Sequence, residues 1–482
     1  MEWQIYFAIA LVLWLFQVFY KACTTPLRRV PGPFYTALTR LPLKIASFTG
    51  NRIYFVHELH RIYGPIVRIA PDEVDVSSLA GFEEIHRTGS RFLKSKWYDQ
   101  FGTDKQGLFT MRDPKQHATR RKLLARPFSK SELRRIWEPV VKEKVHLAVS
   151  KIRHDLKVDG KSDLLKWWTF LATDVSGHLM FGESFDMLRF GKKNEYIHAL
   201  EYATMGAGIG LELPLVAWLG RRIPLSFFRT MFRAQDYLFQ YAQRAVKSSR
   251  MTSDSSRSIF SGMLNESEKG DGAITDVDVV LEAGGLILAG SDTTAVTLTY
   301  LIWAVLSQPK LQRELEEEVN TLGADFNDAS LEKLPLLNAV IMETLRLYGA
   351  APGALPRATP EDGAVFAGYF VPEGVTVSTQ SYSIHRDQDS YLDPERFDVS
   401  RWLTTPTSAS ELAKKAFLPF GAGPRICLGI HLAWMELRLT TAEFFRECRS
   451  VRLAPSATWE NMKPVNYILI APRGHRCEII AK

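Results

Sequence analysis

The sequence predicts a mainly α-helical fold with a minor β portion, preceded by a single N-terminal transmembrane helix. An uncharged apolar run at residues 3–20 predicts the membrane helix, because about 20 such residues cross a bilayer core. Helical periodicity over most of the chain predicts the α-rich part, and short alternating runs predict the strands. With 482 residues, 46% of them hydrophobic, the chain is long enough to bury a sizeable core.

The N-terminal apolar run is interpreted as an anchor that stays attached. The predicted divisions are an anchor at 1–22, a proline-containing hinge at 23–50 and a larger domain at 51–482. Basic residues follow the span, namely Lys21, Arg28, Arg29, Arg40 and Lys44. Only Glu2 precedes it, so the positive-inside rule places the larger domain in the cytosol. A cleaved signal peptide, the alternative, would need a basic start and a small-residue cleavage site.

Several elements of the larger domain have local signals. Alternation on both sides of Pro71 predicts a hairpin at 66–76, and strand-like runs follow at 365–369 and 375–378. Thr275 predicts the N-cap of a long helix that ends near Ser307. A second helix is predicted from 335 to 348. The apolar segment 206–228 is interpreted either as core or as loops that dip into a bilayer.

Composition excludes several classes of protein. Basic and acidic residues number 60 and 53, a net charge of +7 without the dense basic stripe typical of nucleic-acid binding. The four cysteines, at 23, 427, 448 and 477, form no C-x-x-C pattern. They therefore predict neither a zinc site nor a disulfide framework.

The most informative segment is the glycine-rich loop at 420–429, which surrounds Cys427. A helix is predicted to begin just after it, and a helix N-terminus, close backbone N–H groups and the nearby Arg425 would all stabilise a thiolate. Two alternatives are a buried structural cysteine and a nucleophile, although no histidine adjacent in sequence offers itself as a base.

This loop resembles the haem-binding loop of the cytochrome P-450 family, F-x-x-G-x-R-x-C-x-G, at all five fixed positions. The resemblance implies that the Cys427 thiolate is the axial ligand of a haem b iron. It further implies that Arg425 contacts a haem propionate, that Phe420 packs beside the sulfur and that Gly423 shapes the loop. The resemblance covers most of the chain and is closest to membrane-anchored fungal microsomal members.

Three more segments match the family in the expected order. Glu343 and Arg346 form its E-x-x-R pair, which Arg401 completes as a structural triad, with Arg396 as the alternative. The family's proton relay corresponds to Asp292 and Thr293, unless a break near them separates two shorter helices. The family's propionate ligands correspond to His117, Arg121 and Arg357, with His385 a weaker candidate.

The resemblance implies a monooxygenase that inserts one oxygen atom from O2 into a hydrophobic small molecule, as in secondary metabolism. Electrons would come from NADPH through a flavoprotein reductase, and a single-pass anchor would hold the enzyme on the endoplasmic reticulum membrane. A haem-thiolate isomerase or dehydratase is one alternative, and it is disfavoured because such relatives tend to lack the acid–threonine pair. A non-catalytic anchored haem protein is the other.

Overall fold

The computed structural model describes residues 2–101, 106–202, 274–323, 325–403 and 408–481, with isolated residues between 218 and 260. Most of the segment 206–228 lies outside the described residues. In the described part helices dominate and the strands form small sheets, which confirms the predicted fold class.

Helices provide most of the scaffold. The first are α1 (Glu2–Thr24), α2 (Phe34–Leu38), α3 (Leu41–Phe48), α4 (Arg52–Tyr63), α5 (Leu79–His86) and α6 (Pro114–Ala125). Next come α7 (Lys130–Glu132), α8 (Glu138–Val158), α9 (Leu164–Phe181) and α10 (Met187–Phe190). After the 203–273 region come α11 (Asp276–Leu306), α12 (Pro309–Asn320), α13 (Asp328–Leu331), α14 (Pro335–Tyr348) and α15 (Ser381–Ile384). The last are α16 (Ser400–Leu403), α17 (Ser408–Lys415), α18 (Ile430–Glu447) and α19 (Trp459–Met462).

The strands are short. They are β1 (Ile66–Ala70), β2 (Glu73–Val76), β3 (Leu93–Lys94), β4 (Lys161–Asp163), β5 (Arg357–Ala358), β6 (Ala364–Phe366), β7 (Tyr369–Val371), β8 (Thr376–Ser378), β9 (Arg452–Leu453), β10 (Pro464–Asn466), β11 (Ile470–Pro472) and β12 (Glu478–Ile480). The largest described sheet has the order β1-β2-β8-β5-β3, and a second has the order β4-β12-β9. β6 pairs with β7 and β10 with β11.

The early hairpin is confirmed, whereas a later strand prediction is corrected. β1 and β2 pair antiparallel, with Ile66 opposite Val76. The run 365–369 was predicted as one strand, but it spans the end of β6, a two-residue turn and the start of β7. Ala367 and Gly368 both adopt positive φ, at 47° and 83°, which ends one strand and starts the next.

Helix α11 is continuous through the core, as the long-helix prediction required. Thr275 and Asp278 form the predicted capping box at its start. The helix packs against α9, α14 and α18, and its second half is fully buried around Leu298, Tyr300 and Leu301. The alternative of two shorter helices is therefore wrong, and Asp292 and Thr293 lie within one rigid element.

The N-terminal helix α1 differs from the rest because almost all of its surface is exposed. Residues Trp3–Thr24 are long and apolar enough to cross a membrane. Val277–Leu306 in α11 passes the same test, but it is largely a core helix. Within the predicted hinge, Leu27 and Val30 pack in a hydrophobic cluster with Val74 of β2. The boundaries of anchor, hinge and larger domain stay predictions.

Candidate active site

The loop before α18 is fixed by its own backbone and by α5. The Cys427 N–H donates to the Phe420 carbonyl at 3.0 Å, which closes the loop. Gly421 and Gly423 adopt left-handed φ values of 70° and 61°. A Cβ on Gly423 would lie 1.9 Å from the His86 carbonyl oxygen, so only glycine fits at this contact. The loop is thus held close to α5.

Burial, a backbone hydrogen bond and a nearby charge act together on the Cys427 thiol. The Cys427 side chain is accessible to solvent. The protein packed around it nevertheless raises the pKa of its thiol, because it reduces the hydration of the charged form. The backbone hydrogen bond from Gly429 and the charge of Arg121 oppose this effect and lower the thiol pKa. Gly429 is the N-cap of α18, so the helix start contributes directly to the thiolate environment.

The donor set fits a haem iron better than a bare metal ion. In the described ranges no group of three or more His, Cys, Asp or Glu side chains is placed to hold a metal ion. Among the described residues Cys427 is thus a lone sulfur donor, which would suit an iron whose nitrogen ligands come from a macrocycle. The cations near the loop would pair with the carboxylates of such a macrocycle.

Arg121, Arg357 and Arg425 lie close enough for their charges to act on one another. Arg425 donates to the carbonyls of Met111 and Arg112 at 2.8 and 3.1 Å. Arg357 is buried in β5, where it donates to the Tyr98 hydroxyl at 3.3 Å. Burial, and then the charge of Arg357, lowers the pKa of Arg425 to about 10. A bound anion would relieve this repulsion between the cations.

Lys94 belongs to this cluster, although sequence reasoning missed it. It is buried in β3 beside Arg357 of β5 and lies 4.1 Å from the centre of the Tyr98 ring. Burial, and then the charges of Arg357 and Arg425, lowers its pKa to about 6. Within the described chain, Lys94, Arg121, Arg357 and Arg425 form no salt bridge. Two or more carboxylates, such as the propionates of a haem, would satisfy this charge.

The histidine candidates behave differently from the arginines. His117 is buried in α6, and burial together with Arg425 and Lys94 lowers its pKa to about 3. It is therefore a neutral ring beside the cluster. His385 bonds the Arg346 carbonyl through Nδ1, and its Nε2 accepts from the Leu418 N–H. Both His385 nitrogens are thus used in fixing the fold.

Polar side chains inside α11 are accommodated by the helix itself. The Ser291 hydroxyl donates to the Ile287 carbonyl at 2.7 Å, and that of Thr293 donates to the Ala289 carbonyl at 2.6 Å. Asp292 is exposed to the space beside the helix, and burial followed by the charge of Glu201 raises the pKa of its carboxyl. An acid with a raised pKa thus stands next to a hydroxyl in one helical turn.

Glu343 forms buried ion pairs with Arg346 and Arg401. Arg346 donates to both oxygens of Glu343 at 2.9 and 2.8 Å, and Arg401 Nε lies 3.3 Å from Glu343 Oε1. Trp402 Nε1 adds a hydrogen bond to Glu343 Oε2 at 2.9 Å, which the sequence did not indicate. Arg396 instead offers its backbone carbonyl to Arg346. With every charge paired, this cluster has a scaffolding geometry.

Comparison with known proteins agrees with this architecture. The family model described as Cytochrome P450 matches residues 31–476. The cytochrome P450 monooxygenase aflV of Aspergillus parasiticus is 43% identical over 475 residues, covering 96% of this chain and 93% of that protein. The monooxygenase stcB of Emericella nidulans is 42% identical, covering 94% and 88%. The monooxygenase cypX of Dothistroma septosporum is 40% identical, covering 98% and 95%.

The chain belongs to the cytochrome P450 family. It is an oxidoreductase of the monooxygenase type, as the resemblance predicted. Members of this family use haem and O2, receive electrons from a reductase and act on small molecules. The apolar helix α1 is compatible with a membrane anchor.

Proposed function

We propose that this protein inserts one oxygen atom from O2 into a hydrophobic small molecule of fungal secondary metabolism. The observation that carries the proposal is the Cys427 thiol, which shares its loop with Arg425 and feels the charge of Arg121, close to the buried cations Lys94 and Arg357. Among the described residues none of these four cations forms a salt bridge. The fungal relatives support the reaction class. One relative, from Cladonia uncialis, is named methylphloroacetophenone oxidase, which supports a small aromatic ketone as one substrate class.

Haem b is the proposed cofactor, with Cys427 as its protein ligand and O2 as its co-substrate. Bound there, the haem supplies the activation of O2. Arg121, Arg357 and Arg425 hold its propionates, and the neutral His117 offers an N–H donor on the same side. Gly423 keeps the loop close to α5, while Phe420 closes it through its carbonyl and packs on the core.

Proton delivery is assigned to Asp292 and Thr293. The raised pKa of Asp292 keeps a larger fraction of its carboxyl protonated near neutral pH than for an ordinary aspartate. The Thr293 hydroxyl is oriented by its bond to the Ala289 carbonyl, which leaves its oxygen lone pairs free to receive a proton. Proton delivery through one relay would limit the loss of oxidising equivalents to water.

Electrons are proposed to come from NADPH through a flavoprotein reductase in the same membrane. Helix α1 would cross the endoplasmic reticulum membrane once, and Lys21, Arg28 and Arg29 after it favour a cytosolic catalytic domain. Reductase-dependent NADPH consumption would distinguish this reaction from an isomerase or dehydratase.

A reduced-plus-CO difference spectrum of the detergent-solubilised holoprotein tests the proposal. We expect a Soret band strongly red-shifted from that of histidine-ligated haem, because a thiolate donates electron density to the iron. Cys427→Ser should lose this band, whereas Cys23→Ser, at the exposed cysteine after the anchor, should keep it. A histidine-type spectrum in the unsubstituted protein, or an unchanged band in Cys427→Ser, would refute the assignment.

A further inference from the structure

A short segment is hydrogen-bonded to both the cysteine loop and helix α11. We call residues 107–112 the strap. At one end, Arg425 of the cysteine loop donates to the Met111 and Arg112 carbonyls at 2.8 and 3.1 Å. At the other end, the Leu108 N–H donates to Glu282 Oε1 of α11 at 2.8 Å. The strap therefore bridges the two elements that carry the proposed ligand and the proposed proton relay.

The strap contains a turn that its own backbone hydrogen bonds close. The N–H groups of Thr110 and Met111 both donate to the Gly107 carbonyl at 2.9 Å. The side chains of Leu108 and Met111 are buried, while the Phe109 ring is exposed. Lys94 donates to the Phe109 carbonyl and so ties the strap to β3, while the Leu108–Glu282 hydrogen bond ties it to α11.

Glu282 is a buried carboxylate with two different donors. Its side chain is only 3% exposed, and Arg120 Nη1 donates to the same Oε1 at 2.8 Å. Arg120 Nη2 also lies 3.2 Å from Asp278 one helical turn earlier. Arg120 is adjacent in α6 to Arg121, whose charge acts on Cys427. One ion-paired group thus joins α6, α11 and the strap.

We propose that Glu282 is a specificity-determining positioning residue, which sets the size of ligand admitted beside α11 by docking the strap. The proposal rests on the haem-thiolate function argued above and adds a residue that this function does not use. A hydrogen bond to a charged acceptor is stronger than one to a neutral amide. Glu282→Gln therefore keeps the shape of the side chain but weakens its hold on Leu108 and leaves Arg120 with less counter-charge.

Two nitrogen ligands of different size test the proposal on the holoenzyme. Imidazole and clotrimazole both shift the Soret band on binding, so their dissociation constants follow from titration. In Glu282→Gln we expect imidazole binding to stay within about twofold, whereas clotrimazole binds on the order of tenfold more tightly, because the large ligand no longer displaces a docked strap. Arg120→Gln should shift the ratio of the clotrimazole and imidazole dissociation constants in the same direction as Glu282→Gln.

A matched control is available on α12. Glu318 also docks a chain segment, accepting from the N–H groups of Leu336 and Leu337 at 2.8 and 2.7 Å. Glu318→Gln should leave the ratio of the two constants unchanged. An unchanged ratio in Glu282→Gln with an intact haem spectrum, or an equal change in Glu318→Gln, would overturn the proposal.

Amide hydrogen exchange of the unsubstituted protein tests the inference even if the variants do not fold. In the unsubstituted protein the Leu108 amide should exchange at least tenfold more slowly than a free peptide amide, because Glu282 accepts from it. Exchange at the free-peptide rate would sink the inference. A missing thiolate band would instead refute the proposed function, so the two failures are distinguishable.

Discussion

Glu436 is a carboxylic acid that is buried between two helices without a charged partner. It lies on α18, is 1% exposed and accepts a hydrogen bond from Thr294 of α11 at 3.1 Å. Its Oε1 has no partner among the described residues, and burial raises its pKa to about 8. Glu436 is thus largely protonated at neutral pH, which spares the interior a charge.

The Glu436 carboxyl makes stability depend on pH. Its folded-state pKa exceeds the unfolded value, so the stabilisation from its bound proton is full below about pH 4.5 and is lost as pH rises toward 8. Glu436→Gln mimics the protonated form. We expect the variant and the parent to melt alike near pH 4 and the variant to be more stable by about 3 kcal/mol at pH 7. Melting temperatures of both proteins between pH 4 and pH 8 would test this expectation.

The surface variant Glu84→Gln serves as the control for Glu436→Gln and should show no such divergence. If Glu436→Gln and the parent kept parallel melting curves from pH 5 to 8, the carboxyl would be charged in the fold.

The Thr293 hydroxyl permits a test of the proton relay. Thr293→Ala should divert NADPH equivalents from product to hydrogen peroxide and lower product formation about tenfold or more, because a positioned proton donor contributes at least this much. Thr299 is the control, since its hydroxyl also bonds a carbonyl one turn back, that of Ala295 at 2.8 Å, but in the core. Equal coupling in both variants and the parent would show that the relay runs elsewhere.

At the scale of elements, the cysteine loop is limited by its contact with α5. Gly423→Ala would force both a left-handed alanine and a Cβ against the His86 carbonyl, so the loop must move. We expect the loss of most bound haem and a stability loss of several kcal/mol. Haem content per protein and melting temperature measure the two effects.

Gly421→Ala is the matched control for Gly423→Ala. Gly421 also has positive φ, but a Cβ there meets only Leu355 Cδ1, at 4.0 Å. Gly421→Ala should lower the free energy of unfolding by about 1–2 kcal/mol through backbone strain, and the variant should retain haem. Similar haem loss in both variants would mean that φ, and not the contact with α5, fixes the loop.

The elements that the sequence predicted well are those with local causes. The capping box at Thr275, the hairpin around Pro71 and the glycine loop are each specified within about a dozen residues. Lys94 and Glu282 were missed because their environments come from distant segments: β5 lies beside Lys94, and α6 and the strap meet Glu282. No pattern near a lone lysine or glutamate shows that it is buried.

The whole molecule combines a packed domain with one helix that packs against almost nothing. Of the N-terminal region, Ala22, Leu27 and Val30 are buried, while residues 3–17 are exposed. The free energy of folding of the larger domain therefore owes little to α1, whose apolar surface is suited to lipid.

Two truncations test this division of roles. Removing residues 2–20 should leave the melting temperature and the CO difference spectrum within error of the full chain, because few buried contacts are lost, whereas flotation with vesicles should fall sharply. Removing residues 2–30 also deletes Leu27 and Val30 from their cluster with Val74, so it should destabilise the domain by about 3–6 kcal/mol. Equal stability of the two truncated proteins would place the start of the folded domain after residue 30. Loss of the spectrum in the shorter truncation would show that α1 supports the haem site and is more than an anchor.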